Sequence, residues 1–140
     1  MKTRYTPLLE IKKNDLDRCE RDLQQANAAF NNAQVSLKEA YATLESLQIP
    51  QHGTIQDMLS ARTYISSQRM VVNDKKNWLT FAQNQVELAA QKVKKSNIEY
   101  EKFKYLDYEE IKKIEKLHRI KESKELDEIA VMTHNRKGDI

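Results

Sequence analysis

The sequence feature that most limits the possible folds is a seven-residue repeat of apolar positions, which is interrupted only once. In the first part of the chain a large side chain recurs every seventh residue, and a mostly smaller one follows three residues later. The large positions are Leu9, Leu16, Leu23, Phe30, Leu37 and Leu44. The positions three residues later are mostly small and are called the small positions below: Lys12, Cys19, Ala26, Ala33, Ala40 and Leu47. This repeat predicts a long coiled-coil helix, because an unfolded chain has no reason to keep the phase.

The repeat resumes after a short segment that disfavours helix. Pro50 and Gly53 are poor helix residues, and Thr54 followed by Asp57 matches a helix-capping sequence. The large positions of the second repeat are Met58, Ile65, Val72, Leu79, Val86, Val93 and Tyr100. Its small positions are Ala61, Gln68, Lys75, Ala82, Ala89, Ser96 and Phe103. We therefore expect a second helix of the same kind.

The helix ends can also be predicted. Thr6 followed by Pro7 indicates the start of the first helix, with Thr6 as its N-cap. The first helix is expected at about 7–48, the loop at 49–54 and the second helix at about 55–133, with a frayed tail at 134–140. Residues 1–140 are expected to form a single domain.

The two repeats fit each other as an antiparallel pair, in which the large positions of one helix face the small positions of the other. Pairing Leu16 with Ala89 and Cys19 with Val86 sets a large side chain against a smaller one in nearly every layer. Gln68 then lies opposite Leu37, in one of the few layers that pair an apolar side chain with a polar one.

This register has two further consequences. Tyr41 and Tyr64 are predicted to lie directly opposite each other, at the same height along the hairpin. The start of the first helix is predicted to pair with α-helical residues near 99, so pairing ends there. The predicted fold is all-α: a long antiparallel two-helix coiled-coil hairpin whose second helix overhangs at its C-terminal end. The overhang contains an apolar strip, Leu126, Ile129 and Ala130, which has no partner within the hairpin and predicts contact with another protein.

Composition agrees with long helices and argues against several other classes. Charged residues make up 32% of the chain, with only two Gly and two Pro. The 24 basic and 21 acidic residues are intermixed, so a nucleic-acid-binding rod is the least favoured reading and no nucleic-acid partner is expected. A lone cysteine and the lack of a long apolar run predict a cytosolic protein without a signal peptide or membrane span.

The residues that usually carry catalysis are scattered. No two glycines lie close enough to form a phosphate-binding loop, and His52, His118 and His134 are too dispersed to bind a metal ion together. Cys19 occupies a small position, which favours a buried apolar role over a reactive thiol. We therefore expect no enzymatic activity, no cofactor and no metal site.

The two ends of the chain and the predicted hairpin together resemble the FliJ family of flagellar export proteins. The opening is RYTPLLEIKKNDLDRCERDLQQA and the ending is KESKELDEIAVMTHNRKGD. The resemblance implies a non-enzymatic component of the flagellar type III export apparatus, and so a role in motility. In this family one end of the coil lies in the pore of the hexameric export ATPase and promotes its assembly and activity. A loop-proximal surface binds the cytoplasmic domain of the export gate, and the family also handles export chaperones.

The resemblance also implies which residues make these contacts. The export-gate surface would contain Leu37, Tyr41, Leu44 and Tyr64. The ATPase surface would contain Leu117, Leu126, Ile129 and Arg136. The expected protein is a monomer at the cytoplasmic face of the flagellar base, held at the membrane through its partners only. Two alternatives stay open: the stalk of a virulence-type injectisome, and a coiled-coil scaffold without an ATPase partner.

Overall fold

The computed structural model describes residues 2–138, which form two α-helices joined by one loop. Helix α1 spans Thr6–Ser46 and contains 41 residues, and helix α2 spans Ile55–Gly138 and contains 84. No β-strand occurs in this part of the chain. The predicted all-α hairpin is therefore confirmed. Helix α1 ends two residues before the expected boundary at 48, and α2 continues past the expected end near 133.

Helix α1 is capped one residue earlier than predicted. The backbone N–H of Leu9 donates to the carbonyl of Tyr5 over 2.8 Å, which places Tyr5 at the N-cap. The Thr6 hydroxyl accepts from the Thr3 backbone N–H at 2.9 Å and donates to Asp107 Oδ1 at 3.2 Å. The N-cap role predicted for Thr6 is therefore wrong, because its hydroxyl bonds outside the first turn.

Helix α2 begins with the predicted capping sequence. The backbone N–H of Asp57 donates to Thr54 Oγ1 at 3.2 Å, and the Thr54 N–H donates to Asp57 Oδ2 at 3.1 Å. Gly53 precedes this cap with φ 139°, a backbone conformation that other residues rarely adopt. A Cβ at this position would lie 2.9 Å from Asp57 Oδ2. Glycine at this position therefore lets the cap form without a clash.

Contacts between the helices divide the chain into two compact units. The loop unit is Leu16–Ser96, and the terminal unit combines the described residues up to Asp15 with those from Asn97 onward. Within each unit a segment of α1 packs against an antiparallel segment of α2.

The core of the loop unit follows the predicted repeat. Its buried apolar side chains all occupy repeat positions: Leu16, Ala33, Ala40, Val72 and Ala82. The remaining repeat positions of this unit are partly buried, except Met58, which is exposed. The phase of both repeats is thus confirmed. Alanine dominates the buried positions because small side chains let two helix backbones approach closely.

The register of the loop unit differs from the predicted one. Cys19 Sγ lies 3.2 Å from Ser96 Oγ, whereas the sequence paired Cys19 with Val86. Gln68 Nε2 donates to the carbonyl of Ala40 at 3.0 Å, shifted in the same direction from its predicted partner Leu37. Large positions can face small ones only in steps of seven residues, so the nearest allowed register is one heptad away.

A shift of one heptad explains both the error and the exposed start of α2. It keeps the phase and still pairs Leu23 with Ala89, so the apolar seam alone does not distinguish the two registers. In the shifted register the first turns of α2 extend beyond the level of Ser46, the last residue of α1. Residues 55–60 are accordingly all exposed.

Several polar contacts join α1 and α2 in the terminal unit. Lys12 Nζ lies 4.0 Å from Glu99 Oε2 and 5.6 Å from the centre of the Phe103 ring. Asp107 Oδ1 accepts hydrogen bonds from the hydroxyls of Thr3 and Thr6.

The pairing in the terminal unit extends beyond the predicted limit. Arg4 Nη2 lies 3.9 Å from Glu110 Oε2, so the expectation that pairing ends near residue 99 is wrong. The cause is the same one-heptad shift, which moves the partners of α1 toward the C-terminus of α2.

Helix α2 continues well past these contacts. Every residue of the C-terminal segment, defined here as Leu117–Arg136, is helical and exposed. Within residues 2–138, no helix is both long and apolar enough to cross a membrane.

Candidate interaction surfaces

The residues expected to bind the export gate have different environments in the loop unit. Leu37 and Leu44 are partly buried at large positions of the seam between α1 and α2. Tyr41 is 36% exposed, with Lys76 Nζ 5.4 Å from the centre of its ring. Tyr64 is 69% exposed. Tyr64 and, in part, Tyr41 are therefore accessible, whereas the two leucines mainly hold the helices together.

Tyr64 belongs to a shallow groove near the start of α2. The groove is lined by Ile55, Gln56, Leu59, Ser60, Thr63 and Tyr64. Its apolar members are exposed because this part of α2 lies beyond the end of α1. The groove combines apolar side chains with uncharged hydroxyl and amide groups, which suits contact with another protein more than chemistry on a small molecule.

Tyr41 and Tyr64 are not at one level, contrary to the sequence-based expectation. Tyr41 lies beside Lys76, which follows Tyr64 by twelve residues on α2. Part of this separation is the reach of the Lys76 side chain. The one-heptad shift displaces the two tyrosines by seven residues, which is about 10 Å along the helix. The structure therefore groups Tyr41 with Leu37 and Leu44 on α1 and leaves Tyr64 apart.

The residues expected to bind the ATPase all lie in the C-terminal segment and are exposed. Successive residues of an α-helix are rotated by about 100°, so Leu126, Ile129 and Arg136 fall within about 80° of one another. Leu117 lies about 180° from Leu126, on the opposite side of α2. Three of the four predicted ATPase-binding residues therefore share one face of α2, and Leu117 lies on the opposite face.

Sequence reasoning missed part of the apolar surface of the C-terminal segment. Ile120, Val131 and Met132 are also exposed there. The signal that could have identified them is the limit of helix pairing, since every apolar residue beyond that limit lacks a seam. Apolar groups therefore occur around much of the helix rather than along a single strip.

Side chains that could support catalysis or metal binding are dispersed in the part of the chain that the structure describes. Within residues 2–138, no set of three or more His, Cys, Asp or Glu side chains is arranged to hold a metal ion. Cys19 is partly buried at the seam beside Ser96.

Comparisons with known proteins match these features. The family profile described as Flagellar FliJ protein matches residues 1–139. Among solved structures, a protein of Chlamydia trachomatis, CT670, which is described as a YscO homolog, is similar with a TM-score of 0.78. The two proteins share 22% sequence identity, and the match covers 96% of each chain, so this similarity establishes the fold alone. A comparison with curated protein sequences found no significant match.

Proposed function

The chain belongs to the FliJ family of flagellar proteins, whose members are components of type III export. From this premise we propose that it binds the hexameric export ATPase and promotes ATPase assembly and activity. The observation that carries the proposal is the C-terminal segment of α2, Leu117–Arg136, which is helical and exposed at every residue.

The shape and chemistry of this segment suit insertion into a ring. A single helix is about 10–12 Å wide with its side chains, and one that enters a pore is contacted from all sides. Apolar side chains on opposite sides, such as Leu117 and Leu126, can then both be buried. The charged residues between them keep the free helix soluble, and pairs such as His118 with Glu122, 3.3 Å apart, help to maintain it.

Substitutions on one face of the segment test the ATPase contact. We expect the double variant Leu126→Ser with Ile129→Ser to lower stimulation of ATP hydrolysis by the purified export ATPase about tenfold, because two buried apolar contacts are lost. The matched control is Lys124→Ser with Glu128→Ser, which changes two exposed residues outside that face and keeps the net charge. Equal stimulation by the wild type and the Leu126/Ile129 variant would show that the segment does not bind the ATPase.

We further propose that the exposed surface near the loop binds the cytoplasmic domain of the export gate. Tyr64 is its most accessible member, and Tyr41, Leu37 and Leu44 lie apart from it on α1. In this arrangement the protein is cytoplasmic and reaches the membrane through its partners, and export chaperones bind to the same assembly.

Two alanine variants separate gate binding from stability. We expect Tyr64→Ala to weaken binding to the purified gate domain about tenfold while the unfolding curve is unchanged, because Tyr64 is exposed. Leu37→Ala is expected to lower stability, since its side chain lies at the seam. Calorimetric titration and urea unfolding measure the two effects. Unchanged gate affinity in Tyr64→Ala would remove this residue from the surface.

A second candidate function is the corresponding component of a virulence-type secretion system. The similarity in fold to a protein described as a YscO homolog favours it. Flagellar or injectisome genes adjacent to the coding sequence would distinguish the two systems. Binding to the purified export ATPase of one system and not of the other would decide between them.

A further inference from the structure

Helix α2 carries an exposed face in the loop unit that lies outside the seam and the proposed ATPase surface. It begins at Ile55 and Leu59, which also line the groove beside Tyr64, and continues about 45 Å beyond them along the helix. Its apolar side chains are Ile55, Leu59, Met70, Phe81 and Leu88. Steps of three or four residues connect them along one side of the helix, and the intervening positions of that side carry only Thr, Ser or Asn. We call this surface the neutral face.

The neutral face is long and accessible. Met70 is 68% exposed and Phe81 is 59% exposed, and all the intervening positions are exposed as well. At 1.5 Å per residue it extends about 50 Å along α2. Charged residues make up 32% of the chain, so about three of the ten positions on this face would be charged if it had the average composition, and none is. Exposed apolar side chains aligned on one uncharged side of a helix favour contact with another protein.

The two edges of the neutral face differ in charge. One edge carries Arg62, Arg69 and Lys76, with Glu87 as an acidic exception further along. The opposite edge carries Asp74 and the exposed ring of Trp78. A partner that covers the apolar side chains would therefore meet positive charge mainly along one edge.

We propose that the neutral face of α2 binds an amphipathic helix of another protein, whose apolar side is bordered by Asp or Glu residues that face Arg62 and Arg69. Apolar side chains of both helices would be buried together, and the acidic border would fix the orientation of the bound helix.

Two other occupants fit less well. In an antiparallel pair with a second copy of the chain, each basic edge would meet the same basic edge, and the like charges would repel. In a lipid surface, the amide groups of Asn73, Asn77 and Asn84 would lose water without gaining hydrogen-bond partners. A partner helix can supply both acidic residues and hydrogen-bonding side chains.

Site-specific photocrosslinking of the full chain in its native host tests the proposal. The probe is p-benzoylphenylalanine introduced as Phe81→p-benzoylphenylalanine on the neutral face. The control is Gln83→p-benzoylphenylalanine, an exposed position about 160° away on α2. We expect an adduct only from position 81, to a different protein. The linked peptide should have apolar residues three or four apart with Asp or Glu along one border.

Charge reversal tests the predicted orientation. We expect the double variant Arg62→Glu with Arg69→Glu to lower the yield of this adduct about tenfold, whereas Arg62→Lys with Arg69→Lys keeps it. Deletion of residues 121–140 should leave the yield unchanged, which separates this surface from the proposed ATPase contact. An adduct between two copies of the chain, an adduct with lipid only, no adduct, equal yields at both positions, or a linked peptide without an acidic border would each overturn the proposal.

Discussion

At the scale of single residues, the packing of this protein depends most on small side chains. Ala33 is the most buried of the core residues, with 1% of its surface exposed, and Ala40 and Ala82 occupy equivalent small positions. In the shifted register a larger residue of the opposite helix faces each of them. These positions therefore tolerate added volume poorly, although alanine and leucine form helix almost equally well.

Enlarging Ala33 should destabilise the loop unit. We expect Ala33→Leu to lower the free energy of unfolding by about 1–3 kcal/mol, because the added carbons have no space at the seam. Ala29→Leu is the matched control, as Ala29 is exposed on the same helix. Urea unfolding followed by circular dichroism measures both. A loss of similar size in the two variants would point to an effect on the helix rather than on packing.

At the scale of the helices, the question is which of several equivalent registers the pair adopts. The seam accepts a slip of one heptad, because the two sets of repeat positions still face each other and most layers still pair a large side chain with a smaller one. Polar contacts have no such freedom. Cys19 and Ser96 in the loop unit, and Asp107 with the hydroxyls of Thr3 and Thr6 in the terminal unit, connect groups that a slip would separate by about 10 Å.

An engineered disulfide reports the register directly. We expect Ser96→Cys to form a disulfide with the native Cys19 under mild oxidation, because the Cys19 sulfur and the Ser96 hydroxyl oxygen lie 3.2 Å apart. Val86→Cys represents the register that the sequence suggested and should remain reduced. Mass spectrometry of peptides digested without reduction identifies the linked pair. A disulfide in Val86→Cys and none in Ser96→Cys would restore the original register.

At the scale of the whole molecule, α1 and α2 have very different lengths, 41 and 84 residues. A two-helix hairpin with such unequal arms must leave part of the longer helix without an intramolecular partner. In this chain that part includes Leu117–Arg136, which is exposed at every residue. Its apolar side chains are exposed, so we expect them to contribute to binding rather than to folding.

Truncation separates these two contributions. We expect deletion of residues 121–140 to leave the midpoint of thermal unfolding within about 2 °C of the wild type, since residues 121–136 are helical and exposed. The same deletion should abolish stimulation of the export ATPase. Calorimetry and an ATP hydrolysis assay provide the two readouts. A large fall in the unfolding temperature would mean that the segment packs within the hairpin.

Much of this architecture could be predicted because its signals are local. The phase of the repeats, the number of helices and the cap formed by Thr54 and Asp57 each depend on residues within one or two turns. The resemblance to the FliJ family was likewise carried by short segments at the two ends and is confirmed by the family match. The exception was Thr6, whose hydroxyl bonds to Asp107 rather than to its own helix.

What the sequence by itself determined is the pair of helices and the side of each that packs, because a heptad repeat specifies a face within a single helix. Only the tertiary structure decided the register, the extension of pairing to Glu110 and the separation of Tyr41 from Tyr64. The physical reason is that a repeat of seven residues is unchanged by a shift of seven. The choice among registers therefore rests on contacts between polar groups far apart in the chain, such as Thr3 with Asp107.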